Sequence, residues 1–262
     1  MNEIDPRGRA FDLPGGPEAV LLIHGFTATP AEMRPVADLL SREFGWRCLA
    51  PLLPGHGTTL EDLERCKWTD WMRSVEEALG VLSRDHERIH LAGISMGALL
   101  ALELFREKPD RFMSLCFLAP PIFLRTPYQR CVARLLALPV IPLLAPPLRK
   151  TGPMHPDHVA YDSYPPRAGG EFSTGSRLAR TLEKADAPPT LIAYSEADEL
   201  VHPKSAFFLA DRLVNSLTRV VQLERSFHIL TIGMEKETLL SELRSFYREI
   251  TPLNAGNVSA PV

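Results

Sequence analysis

Apolar and polar positions along this chain switch between two periods. "AVLLIH" (19–24) is a continuous apolar run, the pattern of a strand covered on both faces. Thr29 and Pro30 then read as the N-cap and first position of a helix running to about Phe44, with Met33, Val36, Leu39 and Leu40 on one face. "RCLAPLL" (47–53) predicts a second strand, stopped by Pro54. A helix over about 69–84 follows, with Trp71, Val75, Ala78, Leu79 and Leu82 as its apolar stripe. "RIHLAGI" (88–94) predicts a third strand. It runs into a helix from Ser95 to about Glu107, and Pro109 lies just beyond. "MSLCFLA" (113–119) predicts the next strand. From Pro120 to about Pro188 the pattern dissolves into proline-rich sequence with two or three short helices. It resumes as strand 189–195, a helix from about Lys204 to Val214, strand 218–224 and a helix from about Lys236 to Ile250.

This alternation argues an α/β fold: a six- or seven-stranded, mainly parallel sheet with helices on both faces. Residues 1–120 and 188–250 are expected to form the core. Residues 121–187 are expected as a cap inserted between two strands, and 251–262 as a disordered tail.

Length and charge narrow the function. At 262 residues the chain fits one large α/β domain or two small ones. Its net charge of -3 offers no basic field for a nucleic-acid backbone, and no nucleic-acid-binding motif is visible. The N-terminal "MNEIDPRGRAFDLPGG" lacks the apolar run of a secretory signal. "LLALPVIPLLAPPL" (135–148) is too short for a membrane span and is broken by Pro139, Pro142, Pro146 and Pro147. Its apolar character is compatible with transient lipid contact through the cap. Cys48, Cys66, Cys116 and Cys131 contain no CxxC pair and read as reduced thiols in a cytoplasmic protein, with a disulfide as the alternative that spacing alone leaves open.

"HLAGISMGALLAL" (90–102) sets Ser95 between Gly93 and Gly97 at the seam of a strand and a helix. A G-x-S-x-G match is weak alone, because a serine capping a helix gives the same letters. The strand–turn–helix context strengthens it. A serine at positive φ on such a turn tolerates only glycine two residues before and after it. It also sits at a helix N-terminus, which favours developing negative charge. A serine nucleophile needs a base, and the base an orienting acid, in the chain order Ser, Asp/Glu, His. "YSEADELV" supplies Asp198 just past a strand, with Glu196 and Glu199 as rivals; Asp198 has the favoured spacing before the apolar Val201. Of the eight histidines, His228 in "RSFHIL" follows the last strand, while His202 is a decoy close to Asp198. The two oxyanion N–H groups are expected from Met96, after the serine, and from Phe26 in "HGFTATP". The Phe26 ring can also wall the acyl pocket.

"HGFTATPAEMRPVADLL", "PLLPGHGTTLEDLERCKWTDW", "GISMG", "SEADELV" and "RSFHIL" together resemble the α/β-hydrolase superfamily. More narrowly they resemble its small bacterial carboxylesterases and monoacylglycerol lipases. The resemblance covers about residues 15–250. It implies Ser95, Asp198 and His228 as a catalytic triad and Phe26 and Met96 as oxyanion amides. The chemistry expected of these residues requires no cofactor or metal. The expected reaction is hydrolysis of small acyl esters of short to medium chain, with monoacylglycerols among them. A thioesterase or acyltransferase would use the same triad, and a non-catalytic binding protein of this fold is the rival from another class. Substrate contacts are expected from Leu136 and Leu143, in an apolar stretch placed to line an acyl tunnel, and from Val201 and His158. His158 stands where similar monoacylglycerol lipases carry an acidic residue that contacts glycerol.

Overall fold

The computed structural model describes residues 5–138, 140–150, 155–215 and 217–251, with the side chain of Leu143 outside the described residues. The main sheet has seven strands: β1 (Phe11–Leu13), β2 (Glu18–Ile23), β3 (Arg47–Ala50), β4 (Arg88–Ile94), β5 (Phe112–Leu118), β6 (Thr190–Ser195) and β7 (Thr218–Leu223). Their spatial order is β1-β3-β2-β4-β5-β6-β7. Every neighbouring pair is parallel except β1 with β3. The helices are α1 (Arg34–Phe44), α2 (Leu60–Glu64), α3 (Trp68–Leu82), α4 (Met96–Glu107), α5 (Pro127–Leu136), α6 (Ile141–Leu144), α7 (Pro166–Arg180), α8 (Lys204–Arg212) and α9 (Lys236–Ile250).

The continuous apolar strands follow from burial on two faces. Successive side chains leave a strand on opposite sides. Ala19, Leu21 and Ile23 of β2 therefore join one cluster with residues of α3, α4 and α8. Val20 and Leu22 join the other, with residues of α1 and α9. Leu91 and Ala92 of β4 divide the same way, as do Cys116 and Phe117 of β5. Each buried Leu, Ile or Phe contributes roughly 1.5–3 kcal/mol, so strand polarity is dictated by the two helical layers.

Between β5 and β6 lie α5, α6 and α7. The sequence pattern anticipated only short helices there, yet α7 is 15 residues long. Its Gly169, Gly170 and Gly175 weaken the helix signal for a packing reason. A Cβ on Gly175 would enter the Trp68 ring, and one on Gly170 would strike the Leu136 carbonyl. The strand expected over 47–53 ends at Ala50, and β1 and α2 are additions to the predicted elements. From residue 252 onward the expected tail lies outside the described residues. Cys48 and Cys116 are buried, Cys66 is half-buried and Cys131 is exposed; all four are free thiols. Among the described residues, no helix is long and apolar enough to cross a membrane.

Candidate active site

β4 delivers Ser95 to the C-terminal edge of the sheet, where α4 begins on the next residue. Ser95 has φ 52° and ψ −121°, a left-handed conformation that costs a non-glycine residue roughly 1–3 kcal/mol. The two flanking glycines make the turn possible. A Cβ on Gly93 would collide with the Gly97 carbonyl, and one on Gly97 with the Ile23 carbonyl. The Ser95 amide donates to the Leu118 carbonyl at 2.9 Å, tying the turn to β5.

Two loops from distant parts of the chain meet this serine. Ser95 Oγ and His228 Nε2 are 2.8 Å apart, and His228 Nδ1 lies 2.9 Å from Asp198 Oδ2. The arrangement is consistent from end to end when Ser95 donates to Nε2 and Nδ1–H donates to Asp198. Asp198 is further held by the amides of Leu200 and Val201, which donate to Oδ1 at 2.8 and 2.9 Å. The rival acids are placed elsewhere. Glu199 accepts the backbone N–H of His228 at 3.2 Å, and the Glu196 backbone amide bonds the Leu223 carbonyl. His202 accepts from the Lys204 amide.

Charge balances burial here. Burial pushes the Asp198 carboxyl up, but the His228 charge and hydrogen bond and the two amides outweigh it and hold the group below its ordinary value. Burial pushes His228 down, yet Asp198, with smaller help from Glu199 and Glu32, raises it above the usual 6.5.

The loop after β2 closes the site on the other side. His24 is fully buried, and its burial lowers its pKa to about 4. The neutral ring bridges: Nδ1–H donates to the Gly25 carbonyl at 2.9 Å, and Nε2 accepts from the Leu53 amide at 3.1 Å. Among the described residues, neither the Phe26 nor the Met96 amide meets an acceptor. The Phe26 ring stacks on Tyr164 and Phe172 of the 121–187 segment, with centroids 6.1 and 5.5 Å apart, and meets Trp71 edge-on. His56 is a buried structural histidine whose Nδ1–H donates to the Pro54 carbonyl at 3.1 Å.

The expected substrate contacts are placed as follows. Leu136 sets its Cδ1 against Gly169 of α7. The Leu143 side chain lies outside the described residues. Val201 is buried and bridges to Leu124. His158 reaches Glu32, with Nε2 2.8 Å from Oε1. The sequence pattern gave no notice of Glu32, because an acid in the first turn after a proline reads as a solvated N-terminal residue. Among the described residues, no three His, Cys, Asp or Glu side chains come together to hold a metal ion.

Such a serine–imidazole–carboxylate chain can move a proton off a hydroxyl. Proteins similar to this chain carry related descriptions. The thermostable monoacylglycerol lipase of Bacillus sp. (strain H-257) is 31% identical over 253 residues, covering 90% of this chain and 93% of that protein. The carboxylesterase of Bacillus subtilis (strain 168) is 36% identical over 105 residues, 40% of this chain and 42% of its own. Among solved structures, a chain from work on the metagenome-derived lipolytic enzymes LipS and LipT superposes with a TM-score of 0.84. It is 25% identical and covers 94% of this chain and all of its own. The profile of the alpha/beta hydrolase family matches residues 20–232. With that match spanning most of the chain, and the Bacillus sp. relative aligned along nearly all of it, this chain belongs to the alpha/beta hydrolase family.

Proposed function

We propose that this protein is a serine hydrolase of carboxylic esters with short to medium acyl chains, monoacylglycerols among them, acting through an acyl-enzyme on Ser95. The observation that carries the reading is the unbroken hydrogen-bonded chain Ser95–His228–Asp198 at the start of α4. His228 takes the Ser95 proton as Oγ attacks the ester carbonyl. Asp198 keeps the proton on Nδ1 and stabilises the imidazolium that forms. The Met96 and Phe26 amides donate to the oxyanion. His228 then hands its proton to the departing alkoxide, and water repeats the cycle on the acyl-enzyme. Monoacylglycerol as substrate rests on the likeness to the Bacillus sp. lipase.

Ser95→Ala is expected to abolish turnover of p-nitrophenyl butyrate and labelling by a fluorophosphonate, with Tm near wild type. His228→Ala should match it, since members of such a chain act as a unit, whereas His202→Ala should stay active. Turnover retained by Ser95→Ala would exclude the acyl-enzyme. A panel of acyl-CoA, anilide and ester substrates separates the thioesterase and acyltransferase alternatives.

The 121–187 segment acts in this reading as a cap that walls the acyl site and touches aggregated substrate. It leaves Tyr128, Leu138, Val140 and Leu144 exposed, Leu144 by 79%. Residues 125–156 carry five Arg or Lys and no Asp or Glu. Co-flotation with phosphatidylglycerol vesicles, reduced by Leu144→Ser and by salt, is the expected result.

A further inference from the structure

Glu32 is 1% exposed, and the reaction above leaves it without a role. It stands in the 3-10 turn Pro30–Met33 that leads into α1. A buried carboxylate costs several kcal/mol unless both oxygens are satisfied. Here both are: Oε2 accepts the Gly25 amide at 2.8 Å, and Oε1 meets His158 Nε2 at 2.8 Å. Burial pushes the carboxyl up, but the His158 hydrogen bond and charge and the Gly25 amide outweigh it and hold Glu32 below its ordinary value.

The Gly25 amide belongs to the peptide just before the one that carries the Phe26 N–H. That second peptide is held through its carbonyl: Gly25 C=O accepts from His24 Nδ1 at 2.9 Å and from the Ala28 amide at 3.3 Å. A peptide is planar and trans, so a carbonyl pinned in one direction aims its N–H in the other. Glu32 thus anchors one end of a two-peptide unit whose other end points the Phe26 N–H. The unit lies directly on the serine. A Cβ on Gly25 would stand 3.1 Å from Glu32 Oε2 and 3.3 Å from Ser95 Cβ.

The other side of the clamp comes from the 121–187 segment. Besides the His158–Glu32 pair, the Val159 carbonyl accepts from Thr29 Oγ1 at 3.0 Å, and the Tyr161 amide donates to the Thr27 carbonyl at 2.9 Å. Residues 158, 159 and 161 are therefore strapped to the loop by three hydrogen bonds. Thr27, at φ 66°, holds a strained conformation within that strapped loop.

We infer that Glu32 is a positioning residue for ester hydrolysis: by gripping the Gly25 amide and His158 together, it locks the loop that aims the Phe26 N–H at the oxyanion. The inference rests on the acyl-transfer reading given above. It assigns His158 to the strap, in place of the glycerol contact expected at that position.

The contact to the oxyanion exists only once the carbonyl oxygen gains charge, so its loss falls on kcat and leaves KM nearly unchanged. Removing an oxyanion donor costs about 10²–10³ in kcat; misaiming one should cost about 10–10². Glu32→Ala is expected to lose that much on p-nitrophenyl butyrate. Glu32→Gln is expected to recover most of it. Its carbonyl oxygen still accepts from Gly25, and its amide can donate to His158 Nε2 once that imidazole holds its proton on Nδ1.

The Gln variant also removes a negative charge that, after Asp198 and Glu199, helps raise His228. Its acid limb in kcat/KM should therefore move to lower pH; His158, His24 and Lys150 are the other titratable groups coupled to Glu32. Should Glu32→Ala fail to fold, Glu32→Asp takes its place, with the same expected kcat loss from a carboxylate one methylene short of Gly25. Full kcat in Glu32→Ala or Glu32→Asp, or equal losses in these and in Glu32→Gln, would overturn the positioning role. Ser95→Ala is assayed in parallel: if it keeps turnover, the acyl-transfer reading itself falls. If Ser95→Ala is inactive while Glu32→Ala runs at wild-type speed, only the positioning role falls.

Discussion

Replacing Asp198 with Asn tests the electrostatics of the site without changing its shape. In the native protein His228 is buried, and its pKa is nevertheless raised above 6.5 because Asp198 lies 2.9 Å from Nδ1. In the proposed reaction His228 is the base and works only when neutral, so kcat/KM should fall as pH drops through that raised value. In Asp198→Asn the main raising influence is gone and burial remains, so the acid limb should move to lower pH. The plateau should fall as well. The imidazolium formed on attack would be buried beside a neutral amide, and breaking a buried pair costs about 3–5 kcal/mol. At 1.36 kcal/mol per decade this is a loss of about 10²–10⁴ in kcat. The Leu200 and Val201 amides, which donate to Oδ1, favour the rotamer that presents the Asn nitrogen to His228. That rotamer favours the wrong tautomer and pushes the loss toward the upper end. The assay is p-nitrophenyl butyrate hydrolysis from pH 5 to 9, with circular dichroism to check folding. A loss below tenfold, or an acid limb that stays in place, would refute the role given to Asp198.

Further outcomes follow from other contacts. Gly97→Ala should lower Tm by several degrees and stop fluorophosphonate labelling, because its Cβ meets the Ile23 carbonyl, a backbone atom with no room to move. Leu136→Ser, tested on esters of graded length, should lower kcat/KM about fourfold for each methylene that loses its apolar contact, and change acetate little. Equal losses on every ester with a lower Tm would make Leu136 only a packing residue against α7. Ellman's reagent should titrate Cys131 at once in the native protein. Cys48 and Cys116, whose thiols burial raises to about 12, should react only on unfolding.

The linear sequence determined the parts of this protein that are written in local periodicity. β4, α4 and α9 stand within a residue of their predicted limits, because each carries a strong apolar pattern with a turn or proline at its end. The serine turn was legible for the same reason, since two glycines at fixed spacing around a strand–helix seam have few other uses. The order of Ser95, Asp198 and His228 was legible because each follows a strand that reads clearly. What stayed hidden depends on partners far away in sequence. β1 is three residues long and exists only through its pairing with β3. α7 carries glycines that weaken its helix signal, and only the Trp68 ring and the Leu136 carbonyl explain them. Spacing favoured Asp198 among the three acids near β6 but said nothing of what its rivals do; the fold sets Asp198 against the imidazole of His228 and Glu199 against its backbone amide. Glu32 looked like a solvated helix residue, and only the return of the chain 126 residues later, bringing His158, makes it a buried, fully bonded carboxylate. Propensity acts between near neighbours, whereas burial and pairing of polar groups are decided by whichever segments the tertiary fold brings together.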